Sequence, residues 1–340
     1  MNSVPFSKGV NFSKWFESRT FNDIVFETFK EKDFINVKSL GADVIRIPIA
    51  FHRFTIDDAH TINPTLFNYI DAAVDWAEKH QLYLIIDNHS FHPVNPTEPD
   101  IDRILIPVWK QIADRYKDRS KYVIYEVLNE PHKIDDDLWG RIQGDAINAI
   151  RQIDNTHSII VGGTEYNSID KLFTIPKYND DNLIYTFHFY DPHIFTHQGA
   201  TWNKPSLAPL SGLAFPFDAS TMPELHESFK DTWVEHSLKS YEADSKYEKL
   251  NATLDKVLEF SKERSVPVFC GEFGVFMIQS PVDSRARWYQ FICDALNKRD
   301  ISWTCWDYYG GFGLFNSPKY DADFKTDLNV EVVKAMGFTT

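Results

Sequence analysis

Two glutamates close apolar segments that lie far apart in the chain. The first segment, Tyr122-Val-Ile-Tyr-Glu-Val127, ends in Leu128-Asn129-Glu130-Pro131; the second, Val266-Pro-Val-Phe-Cys270, ends in Gly271-Glu272-Phe273-Gly274. Pro131 has no N–H to continue a ladder, so it stops the first strand. A carboxyl group with an amide beside it thus sits at the C-terminal tip of a buried strand, where a barrel of parallel strands places its chemistry. Two such carboxyls suit a mechanism in which one moves a proton and the other attacks or activates water. Cleavage of a glycosidic bond is the commonest use of that pair.

The tips need a frame. Candidate strands run over Lys8–Asn11, Val44–Ile47, Tyr83–Asp87, Tyr122–Glu126, Ser158–Val161, Leu183–His188, Val266–Cys270 and Ser302–Trp306. Helix-period segments fall between them at Pro64–His80, Asp137–Ile153, Leu250–Arg264, Ser284–Lys298 and Asp327–Met336. This alternation predicts an α/β fold with a parallel sheet. Eight β-then-α units without a G-x-G-x-x-G after the first strand favour a closed (β/α)8 TIM barrel over a doubly wound sheet. No linker, repeat or low-complexity run divides residues 1–340, so a single catalytic domain is expected. Residues 191–246, with five prolines, are expected to form a long irregular loop; Trp202, Phe215, Phe217 and Trp233 within it argue against disorder.

The net charge of −14 would repel a polyanion such as nucleic acid but not a neutral substrate. Aromatic residues make up 15% of the chain, enough for both a packed core and a groove with stacking platforms. Cys270, Cys293 and Cys305 have no metal spacing and no even count, so they are expected to be buried thiols. No apolar stretch reaches membrane-spanning length, and no membrane partner is expected. Met1-Asn2-Ser3 leads toward the first strand without a leader pattern. The chain is therefore expected to be a mature secreted or periplasmic form with an added Met, or else a cytoplasmic protein.

Six of the strand ends offer a polar or aromatic side chain: Arg46, His89, Asn129 with Glu130, His188 and Tyr190, Glu272, and Trp306. Singly, each suits a structural hydrogen bond or ion pair. Together on one barrel face they would form a site.

These motifs, Leu128-Asn-Glu-Pro131 and Gly271-Glu-Phe-Gly274, together with the strand-end set, resemble glycoside hydrolase family 5, the cellulase family of retaining (β/α)8 glycosidases. The resemblance runs from Gly9-Val-Asn11 to Trp306, and Asn11-Phe-Ser-Lys-Trp-Phe16 and Trp306-Asp-Tyr-Tyr-Gly-Gly-Phe-Gly313 are similar to its endoglucanase and glucanase/mannanase branches. It implies a retaining endo-β-1,4-glucanase acting on cellulose-like or mixed-linkage β-glucan, with no cofactor and a monomeric state. It implies Glu130 as acid/base and Glu272 as nucleophile, about 5–5.5 Å apart. Glu130 must start protonated and Glu272 ionised, with Arg46 and Tyr190 donating to the latter. Asn129 would bind the sugar 2-hydroxyl, His89 another hydroxyl, His188 would orient Glu130, and Trp306 would carry the sugar ring.

Further substrate-contact candidates are Asn11, Trp15, Phe16, His132, Glu165, Trp202, Trp233 and Tyr308. Glu126 reads as an inward-facing structural acid, and Asp87 and Asn88 as braces for His89. His89-x-x-His92 and the series His188, His193, His197 raise a metal-dependent barrel hydrolase as a rival. No metal is expected, because His89 and His188 come from separate strands. The remaining rivals are a β-mannanase or xyloglucan-specific enzyme of the same family and a carbohydrate-binding barrel without catalysis.

Overall fold

The computed structural model describes residues 3–89 and 96–340. Its eight strands are β1 Lys8–Asn11, β2 Val44–Ile49, β3 Tyr83–Asn88, β4 Val123–Glu126, β5 Ile159–Gly162, β6 Leu183–Phe189, β7 Val268–Phe273 and β8 Ser302–Cys305. All pair in parallel, in chain order, and β8 closes on β1. The fold is a (β/α)8 TIM barrel, and all eight expected strands are present. Parallel strands covered on both faces must be apolar on both, and β2, β4, β5, β6 and β7 are buried at every position.

The outer helices bury one stripe each against the strands. Pro64–Lys79 buries Leu66, Ile70, Ala73, Val74 and Ala77. Asn63 caps it by accepting from Thr65 N at 2.9 Å. Asp136–Arg151 starts on Asp135, whose carboxylate accepts from Leu138 N at 3.0 Å, and carries Asp136 and Asp137 in its first turn, where they suit the helix dipole. Two further helices, Glu31–Ser39 and Asp102–Tyr116, go beyond the sequence reading. Asp102–Tyr116 holds Pro107, which reads as a stop, yet its apolar stripe of Leu105, Val108, Trp109, Ile112 and Tyr116 outweighs the one lost backbone bond.

Residues 191–246 are irregular over most of 197–232 and helical at either end. They contain the short helix His193–Thr196, two 3-10 turns at Ala219–Thr221 and Glu227–Phe229, and the helix Trp233–Asp244, capped by Thr232. Leu207, Leu213, Phe215, Phe229, Val234 and Tyr241 are buried beneath them. The segment is a packed wall beside the barrel mouth.

Inside the barrel the period of two decides everything. Val44, Ile85, Ile124, Ile160, Ile184 and Phe269 point inward from β2 to β7 and pack with Phe6 into a separate apolar plug. One inward step further along the same strands the residues are Arg46, Asp87, Glu126, Gly162, Thr186 and Gly271. The interior changes from apolar to polar or small in a single layer, and the site stands on that layer.

Candidate active site

Arg46, fully buried, is the hub. Its Nε and Nη2 donate to Glu126 at 2.7 and 3.0 Å, Nη1 to Glu272 Oε1 at 2.8 Å and Asn11 Oδ1 at 2.9 Å, and Nη2 to Asn129 Oδ1 at 2.8 Å. Asp87 Oδ2 lies 3.0 Å from Nη2. Burial alone would favour the neutral form, but Asp87, Glu126 and Glu272 around the guanidinium raise its pKa well above the ordinary value, so it stays charged. A guanidinium fork is the side chain that can satisfy this many acceptors at once.

Glu272 reaches this hub through a bulge. The β6–β7 register pairs Phe187 with Cys270 but His188 with Glu272, leaving Gly271 extra. Both Gly271 and Glu272 consequently face the interior. A Cβ at Gly271 would lie 2.8 Å from Thr186 Oγ1 and 3.1 Å from His188 Nε2, which is why the position is glycine. The second Glu272 oxygen accepts from the Tyr190 hydroxyl at 2.9 Å. Burial and the Glu272 charge push the Tyr190 pKa well above normal, so the phenol keeps its proton and donates it.

Glu130 follows β4 with a positive φ of 46°, a turn that swings the carboxyl back over the barrel. The His132 ring Nδ1 lies 3.0 Å from the Glu130 carbonyl oxygen and braces that turn. Glu130 Oε1 lies 2.7 Å from His188 Nδ1, which is itself 3.6 Å from Glu272 Oε2. Burial raises the Glu130 pKa to about 7, against the pull of His89, Arg46 and His132. Burial likewise lowers His188 to about 4, so that ring is neutral near pH 7.

Asn129 is held by Arg46 and packs against His89. Its Oδ1 accepts from Arg46, and its Nδ2 lies 3.3 Å from His89 Nε2. His89 Nδ1 in turn contacts Asp87 Oδ2 at 2.8 Å. Burial would depress His89, but Asp87, Glu17 and Glu272 outweigh it and raise its pKa to about 9. Asn88 contributes its carbonyl to Asn129 N at 3.0 Å. Trp306 stacks beside His89, with ring centroids 5.7 Å apart.

A cleft of about 1010 Å³ opens above these groups. Glu130, Glu272, His89, His188, Tyr190 and Trp306 line it, together with Trp202, Trp233, His193, His197, Phe276, Phe312, Glu165 and Tyr166. Several expected contacts do not reach it. Trp15, Phe16 and Tyr308 are 0% exposed. They pack in an aromatic cluster under the loops, with Trp15 stacked on Phe16 at 4.4 Å and Tyr308 tilted against Phe12 at 5.2 Å. Asn11 is equally buried and its amide nitrogen donates to the Gly271 and Cys305 carbonyls at 3.1 Å. His132 is buried under Tyr166, ring against ring at 4.4 Å. These five are supports. The expected pair His89-x-x-His92 is described only in part, because His92 lies outside the described residues.

Glu17, Tyr166 and Asn167 belong to the site without a sequence signal. Glu17 lines the cleft 3.8 Å from His89 Nε2, its pKa raised by burial. All three sit in connections that carry no strand-end pattern.

Among the described residues, Glu130, His188 and Glu272 are the one group whose side-chain ligand atoms could surround a metal ion, all within 4.8 Å of one another. The Arg46 charge 2.8 Å from Glu272 opposes a cation there. What the arrangement does carry is a buried acid with a raised pKa facing a carboxyl whose two oxygens both accept from fixed donors. Cys270, Cys293 and Cys305 are buried free thiols, and Cys270 Sγ donates to the Glu272 backbone carbonyl at 3.5 Å.

The chain belongs to glycosyl hydrolase family 5, the cellulase family, whose model matches residues 6–311. It is 28% identical to Endoglucanase C of Acetivibrio thermocellus over 90% of this chain and 92% of that protein. It is 30% identical to Cellodextrinase A of Ruminococcus flavefaciens over 88% of this chain and 84% of that protein. Among solved structures it is similar to the cellulose synthase subunit Z of Clostridioides difficile, with a TM-score of 0.81, 26% identity and coverage of 97% of this chain and 99% of that one. It is also similar to endoglucanase Cel5A of Thermotoga maritima, with a TM-score of 0.79, 26% identity and coverage of 97% and 96%.

Proposed function

We propose that this protein is a retaining endo-β-1,4-glucanase that cleaves cellulose-like or mixed-linkage β-glucan by double displacement. Family membership and the endoglucanase relatives support the activity. The observation that carries the stereochemistry is the approach of the Glu130 and Glu272 carboxyl oxygens within 4.8 Å. That is the spacing of direct nucleophilic attack; an inverting enzyme keeps its carboxyls about 6.5–9.5 Å apart to admit water.

In the first step Glu272 attacks the anomeric carbon while Glu130 gives its proton to the glycosidic oxygen, and the leaving sugar departs. In the second, Glu130 takes a proton from water, which displaces Glu272 from the anomeric carbon. Arg46 and Tyr190 aim Glu272 and hold both its oxygens as acceptors. Asn129 offers its amide N–H to the sugar 2-hydroxyl, a bond that strengthens in the oxocarbenium-like transition state. Trp306 carries the sugar before the scissile bond; Trp202 and Trp233, 40% and 37% exposed, offer faces to the sugars beyond it. Glu165 and His89 contact hydroxyls.

A second reading, activity on β-mannan, rests on the similar Thermotoga maritima Cel5A, whose structure is also known with mannotriose. We further propose one catalytic domain, a monomer, and a secreted or periplasmic location; among the described residues no helix is long and apolar enough to cross a membrane. The experiment is a rate comparison on carboxymethyl-cellulose, barley β-glucan, xyloglucan and glucomannan. Fastest cleavage of barley β-glucan or carboxymethyl-cellulose supports the glucanase reading, and a preference for glucomannan overturns it in favour of the second.

A further inference from the structure

After β5 the chain runs through three consecutive residues in the left-handed region: Glu165 (φ 50°), Tyr166 (φ 63°) and Asn167 (φ 54°). Such a conformation costs a non-glycine residue about 1–2 kcal/mol each, so a run of three persists only where its surroundings hold it. Its last member, Asn167, is completely buried beneath the catalytic layer, with Nδ2 3.4 Å from His188 Nε2. The amide has one polarity here. Its Oδ1 has no hydrogen-bond partner and faces Gly162, where an added Cβ would stand 2.3 Å away; a C–H bond therefore points at the oxygen, and the N–H end faces the ring.

We propose that Asn167 is a positioning residue that fixes the tautomer of His188 and, through it, the oxygen of Glu130 that carries the catalytic proton. A neutral imidazole has one donor and one acceptor nitrogen. With Asn167 donating to Nε2, the ring hydrogen must sit on Nδ1. Nδ1–H then donates to Glu130 Oε1 across 2.7 Å, Oε1 is an acceptor only, and the acid proton is left on Oε2 for the glycosidic oxygen. The opposite tautomer would accept the Glu130 proton at Nδ1 and hold it away from substrate. The charged or titratable groups facing His188 are Glu130, Glu272, Arg46, Asp87 and His89. None of them hydrogen-bonds to Nε2, so Asn167 is the group that addresses that nitrogen.

This inference rests on Glu130 being the acid, and the tests separate the two. The first is a ¹⁵N correlation spectrum of the histidine rings of the wild-type enzyme at pH 6–7. A proton on His188 Nδ1 is expected; a proton on Nε2 overturns the proposal, whatever the activity. The second compares kcat/KM on cellotetraose with that on 2,4-dinitrophenyl β-cellobioside, whose leaving group needs no acid. Asn167→Gly keeps the left-handed backbone and removes the donor; Asn167→Asp keeps the shape and reverses the polarity. Both are expected to lose about 10–100-fold on cellotetraose, within the range of general acid catalysis, and about twofold or less on the aryl substrate. Equal losses on both substrates, or no loss on either, overturn it. Glu130→Gln run in parallel reports on the underlying reading: if it shows no such leaving-group dependence, the acid assignment itself fails. If neither Asn167 variant folds, the ring spectrum alone decides.

Discussion

Arg46 donates to Glu272 across 2.8 Å while the same guanidinium closes a two-pronged pair with Glu126. The nucleophile candidate and a non-reacting acid thus share one buried cation, so stability and catalysis meet at one residue. Arg46→Ala leaves Asp87, Glu126 and Glu272 buried without their cation. A loss of about 3–5 kcal/mol in denaturant unfolding is expected, because breaking a buried ion pair strands the partner charge. Arg46→Lys restores the charge but not the fork. It is expected to recover part of the stability and little of the turnover, and full recovery of kcat would show that the fork does not aim Glu272.

The pH profile follows from Glu130. Its pKa is raised to about 7, and the protonated form is the reactive one in the first step. Raising pH through about 7 removes that proton, so kcat/KM on β-glucan should fall on the basic side with its midpoint there. The limb should vanish for 2,4-dinitrophenyl β-cellobioside. A basic limb that is identical for the two substrates would assign it to another group.

Gly271 is the extra residue that lets Glu272 face inward beside His188. In Gly271→Ala the new methyl meets Thr186 Oγ1 and His188 Nε2 at 2.8 and 3.1 Å. Overpacking of this kind costs about 1–3 kcal/mol, and the relief available is a shift of His188. Turnover on β-glucan should therefore drop more than the melting temperature suggests. Wild-type turnover in Gly271→Ala would mean that the bulge does not need glycine.

The aromatic residues divide by burial. Trp202→Ala removes a cleft face and should lower kcat/KM on long β-glucan chains about fivefold, a loss near 1 kcal/mol, with unfolding unchanged. Trp15→Ala removes a core side chain and should cost about 3–5 kcal/mol of stability. Kinetics and chemical denaturation on the two variants, side by side, check the division.

Much of this was legible in the chain. The eight strands declared themselves as short apolar runs, because both faces of a parallel barrel strand are buried. The residues at their tips, among them Arg46, Glu130, His188 and Glu272, are brought together by the closed barrel. Residue type alone could not tell Trp15 and Tyr308 in the core from Trp202 in the cleft, since a ring suits either place. The β7 bulge was hidden, because the one extra residue shows only against the β6 register. Five prolines masked the helix Trp233–Asp244, and nothing local marks Asn167, whose meaning comes from a ring on another strand.

The central claim is that Glu272 forms a covalent bond to the sugar. Incubation with 2,4-dinitrophenyl 2-deoxy-2-fluoro-β-cellobioside, which slows the second step, followed by peptide mass mapping, reads this out. The expected result is stoichiometric loss of activity with one 2-fluorocellobiosyl group on Glu272. Label on any other carboxylate, or turnover that inverts the anomeric centre without label, would contradict it.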